Sequence, residues 1–94
     1  MQIKWLRTAL RNLDEEIAFI AAEDPQAARR TASRILAAIA LLETQPGLGR
    51  PGRVPGTREL VVLDSRYLIP YRVNRHTIEI LRVIHTSRTL PQRW

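Results

Sequence analysis

Cysteine is absent from this 94-residue chain, which excludes disulfides and thiolate metal sites and fits a reducing compartment. Lysine is nearly absent: of the fifteen basic residues, all but Lys4 are arginine. Aromatic residues make up only 5% of the chain, so platforms for stacking bases are few. No apolar run approaches the ~18 residues that a membrane span needs. Met1 to Lys4 lacks the apolar segment of a signal peptide, so a cytoplasmic protein with no membrane contact is expected. No spacing of His, Asp and Glu suggests a metal site. The four glycines, at 47, 49, 52 and 56, lead into a strand and not into a helix, so no phosphate-cradling loop and no cofactor is expected. Internal repeats and low-complexity tracts are missing as well.

What is present is a moderately apolar, strongly basic chain. Hydrophobic residues make up 45%, enough for one modest core, and residues 1–94 are expected to form a single domain. The net charge is +6, which favours an anionic partner, either nucleic acid or an acidic protein. Arginine offers a planar fork of donors suited to phosphate and carboxylate. A GC-rich genome accounts for the arginine-to-lysine ratio equally well, but not for the net charge.

The pattern changes code part-way along. Gln2 to Trp5 suits a short strand. Leu6, Leu10, Leu13, Ile17 and Ile20 step by four and three, one helical stripe, with the helix starting near Leu6 or capped at Thr8. Asp24-Pro25 is a cap followed by a proline at the first helical position. A second helix runs from there to about Glu43, with Ala28, Ala32, Ile35, Ile39 and Leu42 on its inner stripe and Arg29, Arg30 and Arg34 off it. The two stripes imply an antiparallel helical hairpin. Gln45 to Gly56 is a loop rich in proline and glycine. Thr57–Leu63, Tyr67–Val73 and Thr77–Ile84 then read as three strands, separated by turns at Asp64-Ser65 and Asn74-Arg75-His76, too short for anything but an antiparallel meander. Apart from Glu79 and Arg82 the last strand is apolar on both faces, which places it inside the sheet. Pro70 lacks a ladder donor, so its nitrogen must face a bulge or an unpaired side. The fold class expected is α+β, with the hairpin packed on an antiparallel sheet. Leu60, Val62, Ile69, Tyr71, Val73, Ile78, Ile80 and Val83 are the expected strand core.

This order of elements resembles the RelE/ParE superfamily of toxins, over nearly the whole chain. The resemblance is carried by Asp24-Pro25-Gln26-Ala27-Ala28, Pro46-Gly47-Leu48-Gly49-Arg50-Pro51-Gly52, Gly56-Thr57-Arg58-Glu59-Leu60, Tyr71-Arg72-Val73 and Glu79-Ile80-Leu81-Arg82-Val83-Ile84-His85. It implies the toxin of a type II toxin–antitoxin pair, neutralised by a cognate antitoxin from the same operon. Antitoxins of this kind wrap an amphipathic helix and an extended segment around the toxin, and the groove between hairpin and sheet is the expected seat. RelE-type members cut messenger RNA on the ribosome. ParE-type members poison DNA gyrase and carry no known hydrolytic site.

Cleavage through the RNA 2′-hydroxyl needs a base, cations around the phosphorane and an acid. With Tyr71-Arg72-Val73 as the anchor of the comparison, the positions where RelE carries cations fall at Leu60, Val62 and Leu68, all aliphatic. Arg88 matches a C-terminal arginine of that family. Trp94 falls near its aromatic but cannot serve as an acid. A different catalytic set is His85 with Arg88 and Glu59, the imidazole acting as acid or base. Against it, Glu59 beside Arg58 reads as an exposed ion pair, and His85 as a hydrogen-bonded strand end. Target contact is assigned to Arg82, His85 and Arg88, with Arg58, Arg66 and Arg72. Tyr67 and Tyr71 beside Arg66 and Arg72 would also suit single-stranded nucleic acid. The expected function is therefore ParE-like, non-hydrolytic inhibition of gyrase. The alternatives are a ribosome-dependent messenger-RNA endoribonuclease of RelE type, and a basic nucleic-acid-binding module without toxicity.

Overall fold

A computed structural model describes residues 1–88 and 90–94. The chain forms β1 (Gln2–Trp5), α1 (Arg7–Ala21), α2 (Pro25–Leu41), β2 (Arg50–Pro51), β3 (Arg58–Val61), β4 (Tyr67–Asn74), β5 (Thr77–Ile80) and β6 (Ile84–His85). The two helices pack on a six-stranded sheet ordered β1-β5-β4-β3-β2, with β6 also pairing β4. The expected meander is β3-β4-β5, and β5 lies inside the sheet as its apolar faces require. The sheet is mixed, not antiparallel throughout, because β1 runs parallel to β5 with Gln2 opposite Thr77 and Trp5 opposite Ile80.

Where α1 begins is set by that pairing. Leu6, at the N-cap, makes no side-chain cap bond, and its backbone N–H donates to the Ile80 carbonyl at 3.0 Å. Thr8 therefore is not the cap. The buried stripe of α1 is also displaced from the expected one. Ala9, Leu13, Glu16 and Ile20 turn inward, while Leu10 is 47% exposed. Pattern reading favours leucine over alanine and glutamate, yet a small residue admits the sheet closely and a paired carboxylate can be buried.

Helix α2 follows its code closely. Asp24 accepts the Ala27 N–H at 3.0 Å, and Pro25 takes the first helical position. Ala28, Ile35, Ile39 and Leu42 are buried. Helical structure gives way to turns after Leu41, two residues before the expected end.

The loop after α2 is pinned by Tyr71. Its hydroxyl accepts from the Gly49 N–H at 2.8 Å and donates to the Pro46 carbonyl at 2.8 Å. A Cβ at Gly49 would lie 2.6 Å from the Tyr71 ring, so only glycine fits there. The same segment supplies β2, an edge strand that the glycines and prolines hid.

The expected strand Thr77–Ile84 is broken in two. Tyr71 pairs with Ile80 and Leu68 with Ile84, so Ile69 and Pro70 face three residues, Leu81 to Val83. This is a β-bulge opposite proline. The Leu81 N–H reaches the Pro70 carbonyl at 2.9 Å, so the missing donor of Pro70 points into the bulge. Asn12 of α1 closes the gap, accepting the Val83 N–H at 3.2 Å and the Arg82 Nε at 2.8 Å. Every residue of the expected strand core is buried except Val73, which is 42% exposed. Strand β3 begins at Arg58 opposite Tyr71, so Val73 has no neighbour on that side.

Candidate functional site

Two recesses flank the sheet. The first is an apolar groove of about 690 Å³ between α2 and the outer edge of β3, lined by Leu41, Leu48, Val61 and Leu63, with Arg34 and Arg50 at its margins. Leu63 is 80% exposed. Beyond Glu59, β3 has no strand on its outer side among the described residues, because β2 pairs only with Arg58 and Glu59. An apolar groove beside an open strand edge is a template for another polypeptide.

Glu59 sits beside this groove, but not as the exposed partner of Arg58 expected from the sequence. Neighbouring residues on a strand point to opposite faces. Glu59 is 3% exposed; one carboxylate oxygen meets Arg50 at 3.3 Å, and the other takes the Arg53 Nε at 3.0 Å and its backbone N–H at 2.9 Å. Burial alone would raise its pKa, but the hydrogen bonds from Arg53 and Arg50 outweigh it and hold the carboxyl below its ordinary value. Glu59 lines the groove and His85 the other recess, so the Glu59–His85 catalytic pair does not form. Arg58 is likewise committed, its guanidinium donating to the carbonyls of Gly49 at 2.8 Å and Gly47 at 3.4 Å.

The second recess, about 400 Å³ and polar, opens between α1 and the β3–β4 turn. Its floor is Glu16, a buried carboxylate held by the Tyr67 hydroxyl at 3.0 Å and by Arg88 at 2.6 Å. Burial and the adjacent Glu16 push the Tyr67 hydroxyl up to about 12, so it stays protonated at neutral pH. His85 stands edge-on to the Tyr67 ring, centroids 5.2 Å apart. Its Nδ1 receives the Ser87 backbone N–H at 3.2 Å and contacts the Ser87 hydroxyl at 2.6 Å. A backbone N–H can only donate, so Nδ1 is an acceptor and the neutral ring carries its proton on Nε2. His85 therefore presents its Nε2–H as a donor. Arg66 and Phe19 complete the rim.

Of the remaining expected contacts, Arg72 is paired with Glu79 on the neighbouring strand, and Arg82 is held by Asn12. The fold thus brings Arg66, His85 and Arg88 together and leaves Arg58, Arg72 and Arg82 elsewhere. Arg88 is not a free tail residue, since it neutralises Glu16. Among the described residues, no three side chains of His, Cys, Asp or Glu converge as a metal site would require.

Comparison with known proteins decides the family. The model of the ParE toxin of type II toxin–antitoxin systems, parDE, matches residues 3–90. The chain belongs to the ParE toxin family. It is 48% identical over 91 residues to Y4kP of Sinorhizobium fredii (strain NBRC 101917 / NGR234), a protein named as a toxin by inference; the match covers 97% of this chain and 94% of that one. A solved structure described as a chromosomal ParDE toxin–antitoxin system from P. aeruginosa superposes with a TM-score of 0.82 at 31% identity, covering 90% of this chain and 95% of that one. The α+β fold and the place in a toxin–antitoxin pair expected from the resemblance both hold.

For a ParE-family chain, the sequence reading of the site missed three residues. Glu16, Asn12 and Phe19 all lie on α1, where periodicity marks them only as surface. Their roles arise from strands some fifty to seventy residues away in the chain.

Proposed function

We propose that this toxin acts on DNA gyrase in the cytoplasm without hydrolysing RNA, and that the polar recess faces the target. The carrying observation is the engagement of His85, whose Nδ1 already receives the Ser87 backbone N–H. Tyr67 stays protonated, and Glu16 is spent on Tyr67 and Arg88. The aliphatic positions add to this. Leu60, Val62 and Leu68 lie in the core, Val61 and Leu63 are exposed aliphatics, and the one cation of β3, Arg58, is held by the Gly47 and Gly49 carbonyls, which leaves little to stabilise a phosphorane. Arg66 and the Nε2–H of His85 remain as the groups able to contact a target.

The cognate antitoxin takes the apolar groove. An amphipathic segment covers Leu41, Leu48 and Leu63, an extended stretch continues the sheet beside Val61, and acidic residues meet Arg34 and Arg50. The competing reading, cleavage of ribosome-bound message, draws on the meeting of Arg66, His85 and Arg88 in one recess. Two assays separate them: plasmid supercoiling by gyrase, and primer extension on translating ribosomes. Loss of supercoiling with intact message is the expected result. Codon-positioned cleavage that disappears in His85→Ala, with supercoiling untouched, would reverse the choice.

A further inference from the structure

The sequence offers Tyr67 and Tyr71 beside Arg66 and Arg72 as a surface for single-stranded nucleic acid. The fold withdraws most of it: both tyrosines are buried, and Arg72 is paired with Glu79. It supplies a substitute. Phe19, three residues after Glu16 on α1, reaches the rim of the polar recess and is 77% exposed. A lone exposed phenylalanine on a helix is unremarkable, but this one shares its recess with Arg66, which makes no ion pair among the described residues, and with His85, whose Nε2–H is available. The Glu16 carboxylate beneath is already neutralised by Arg88 and does not oppose an anion.

We propose that the polar recess binds one nucleotide of a single-stranded polynucleotide, with the base against Phe19 and the phosphate against Arg66 and His85. This rests on the recess being the target-facing site, and it assigns the contact to the nucleic-acid component of that target. An aromatic face beside an arginine is the arrangement that holds unpaired bases, because every base has a π-face and every phosphate a charge. An acidic protein segment would use the arginine but leave the ring idle. The recess volume lies in the range of roughly 300–1,000 Å³ typical of small-ligand sites, too small for a duplex to enter. Asp64 is an unneutralised opposing carboxylate at the recess among the described residues. Its φ of 57° is a left-handed conformation that asparagine also tolerates.

The test is fluorescence anisotropy of the full chain with labelled oligo-dT, oligo-U and a duplex, each roughly 12 nucleotides long. Single strands should bind more tightly than the duplex, with an affinity that falls as salt rises. Phe19→Ala should weaken oligo-dT binding roughly 5- to 100-fold. Arg66→Ala should lower the salt slope by about 0.7. Asp64→Asn should tighten binding. Both Phe19 and Arg66 are exposed, so melting temperatures should not move, and a folding defect is separable. No binding, binding unchanged by Phe19→Ala, or preference for the duplex would each overturn the proposal. Preference for oligo-U over oligo-dT would keep the nucleotide site and move the target to the ribosome. Supercoiling assays on the same proteins keep the two readings apart. Gyrase inhibition by a chain that binds no oligonucleotide sinks the nucleotide site alone, and oligonucleotide binding without gyrase inhibition sinks the gyrase reading alone.

Discussion

Each recess is built around a buried glutamate, and the two carboxylates are held in opposite ways. Glu59 takes its partners from six and nine residues away, in the loop that precedes its own strand. Glu16 takes Tyr67 and Arg88 from 51 and 72 residues away. The first is a local clamp that shapes the loop and leaves an apolar groove beside it. The second is a long-range tie that joins α1 to the sheet and to the tail, and it leaves a polar recess. An apolar groove suits a partner that stays and covers it; a recess lined by charged and polar side chains suits a more transient contact. On the proposed reading, one small sheet separates a surface for neutralisation from one for action.

The largest expected effect removes the difference by removing both recesses. Ile39 is buried in the core that α2 shares with the sheet, and Ile39→Asp places an unpaired charge there at a cost of several kcal/mol. That is comparable to the whole stability of a small domain, ~5–15 kcal/mol. Thermal melts should show a lost or strongly lowered transition, and a parent-like melt would mean the helix is not seated as described.

Glu59→Gln should cost about 1–3 kcal/mol at neutral pH by weakening the Arg53 and Arg50 contacts. Its pH dependence sharpens the contrast. The folded-state pKa lies below the ordinary value of 4.5, so the Glu59 contribution is complete above that pH and is lost as pH falls through the folded value. The parent should therefore lose stability with acid below about pH 4.5 more steeply than Glu59→Gln. Melts across an acid series decide it, and parallel curves would show that the carboxylate is not held as charged.

Leu63→Asp addresses the groove alone. The side chain is exposed, so stability should change by no more than about 0.5 kcal/mol. Antitoxin affinity should fall by about tenfold or more, since a leucine buried on binding is worth ~1.5–3 kcal/mol. Calorimetry with the operon neighbour measures this, and gyrase inhibition by the free variant should be unchanged.

The smallest effects come from a pair of arginines. Arg88→Ala leaves Glu16 with Tyr67 alone and should cost about 1 kcal/mol, discounted for the exposure of Arg88. Arg72→Ala removes a cross-strand pair whose carboxylate is less deeply buried and should cost at most about 0.5 kcal/mol. Equal losses in denaturant melts would erase the distinction between a tie to a buried carboxylate and a surface pair.

Much of this architecture was legible residue by residue. The Asp24-Pro25 cap, the inner stripe of α2, the meander and the break in the ladder at Pro70 (a bulge or an unpaired side) all follow from local stereochemistry, and local stereochemistry is written in neighbouring residues. The stripe of α1 was misread at Leu10, because periodicity ranks residues by hydrophobicity and cannot anticipate a glutamate buried by a distant arginine. Strand β2 was hidden because a two-residue edge strand carries no periodicity at all. At the candidate site, Arg66, His85 and Arg88 were named from the sequence, but their meeting with Phe19 and Glu16 was not.

The amino-acid sequence by itself determined the helices, the first strand and the meander, their order, the excess of positive charge and the ParE-type pattern. All of these depend on contacts within a few residues or on composition. Tertiary structure alone decided that β1 runs parallel beside β5, that Glu59 belongs to the loop and not to His85, and that Arg88 is held by Glu16. These are pairings between segments far apart in the chain, fixed by which faces can be buried together and which buried charges find a partner.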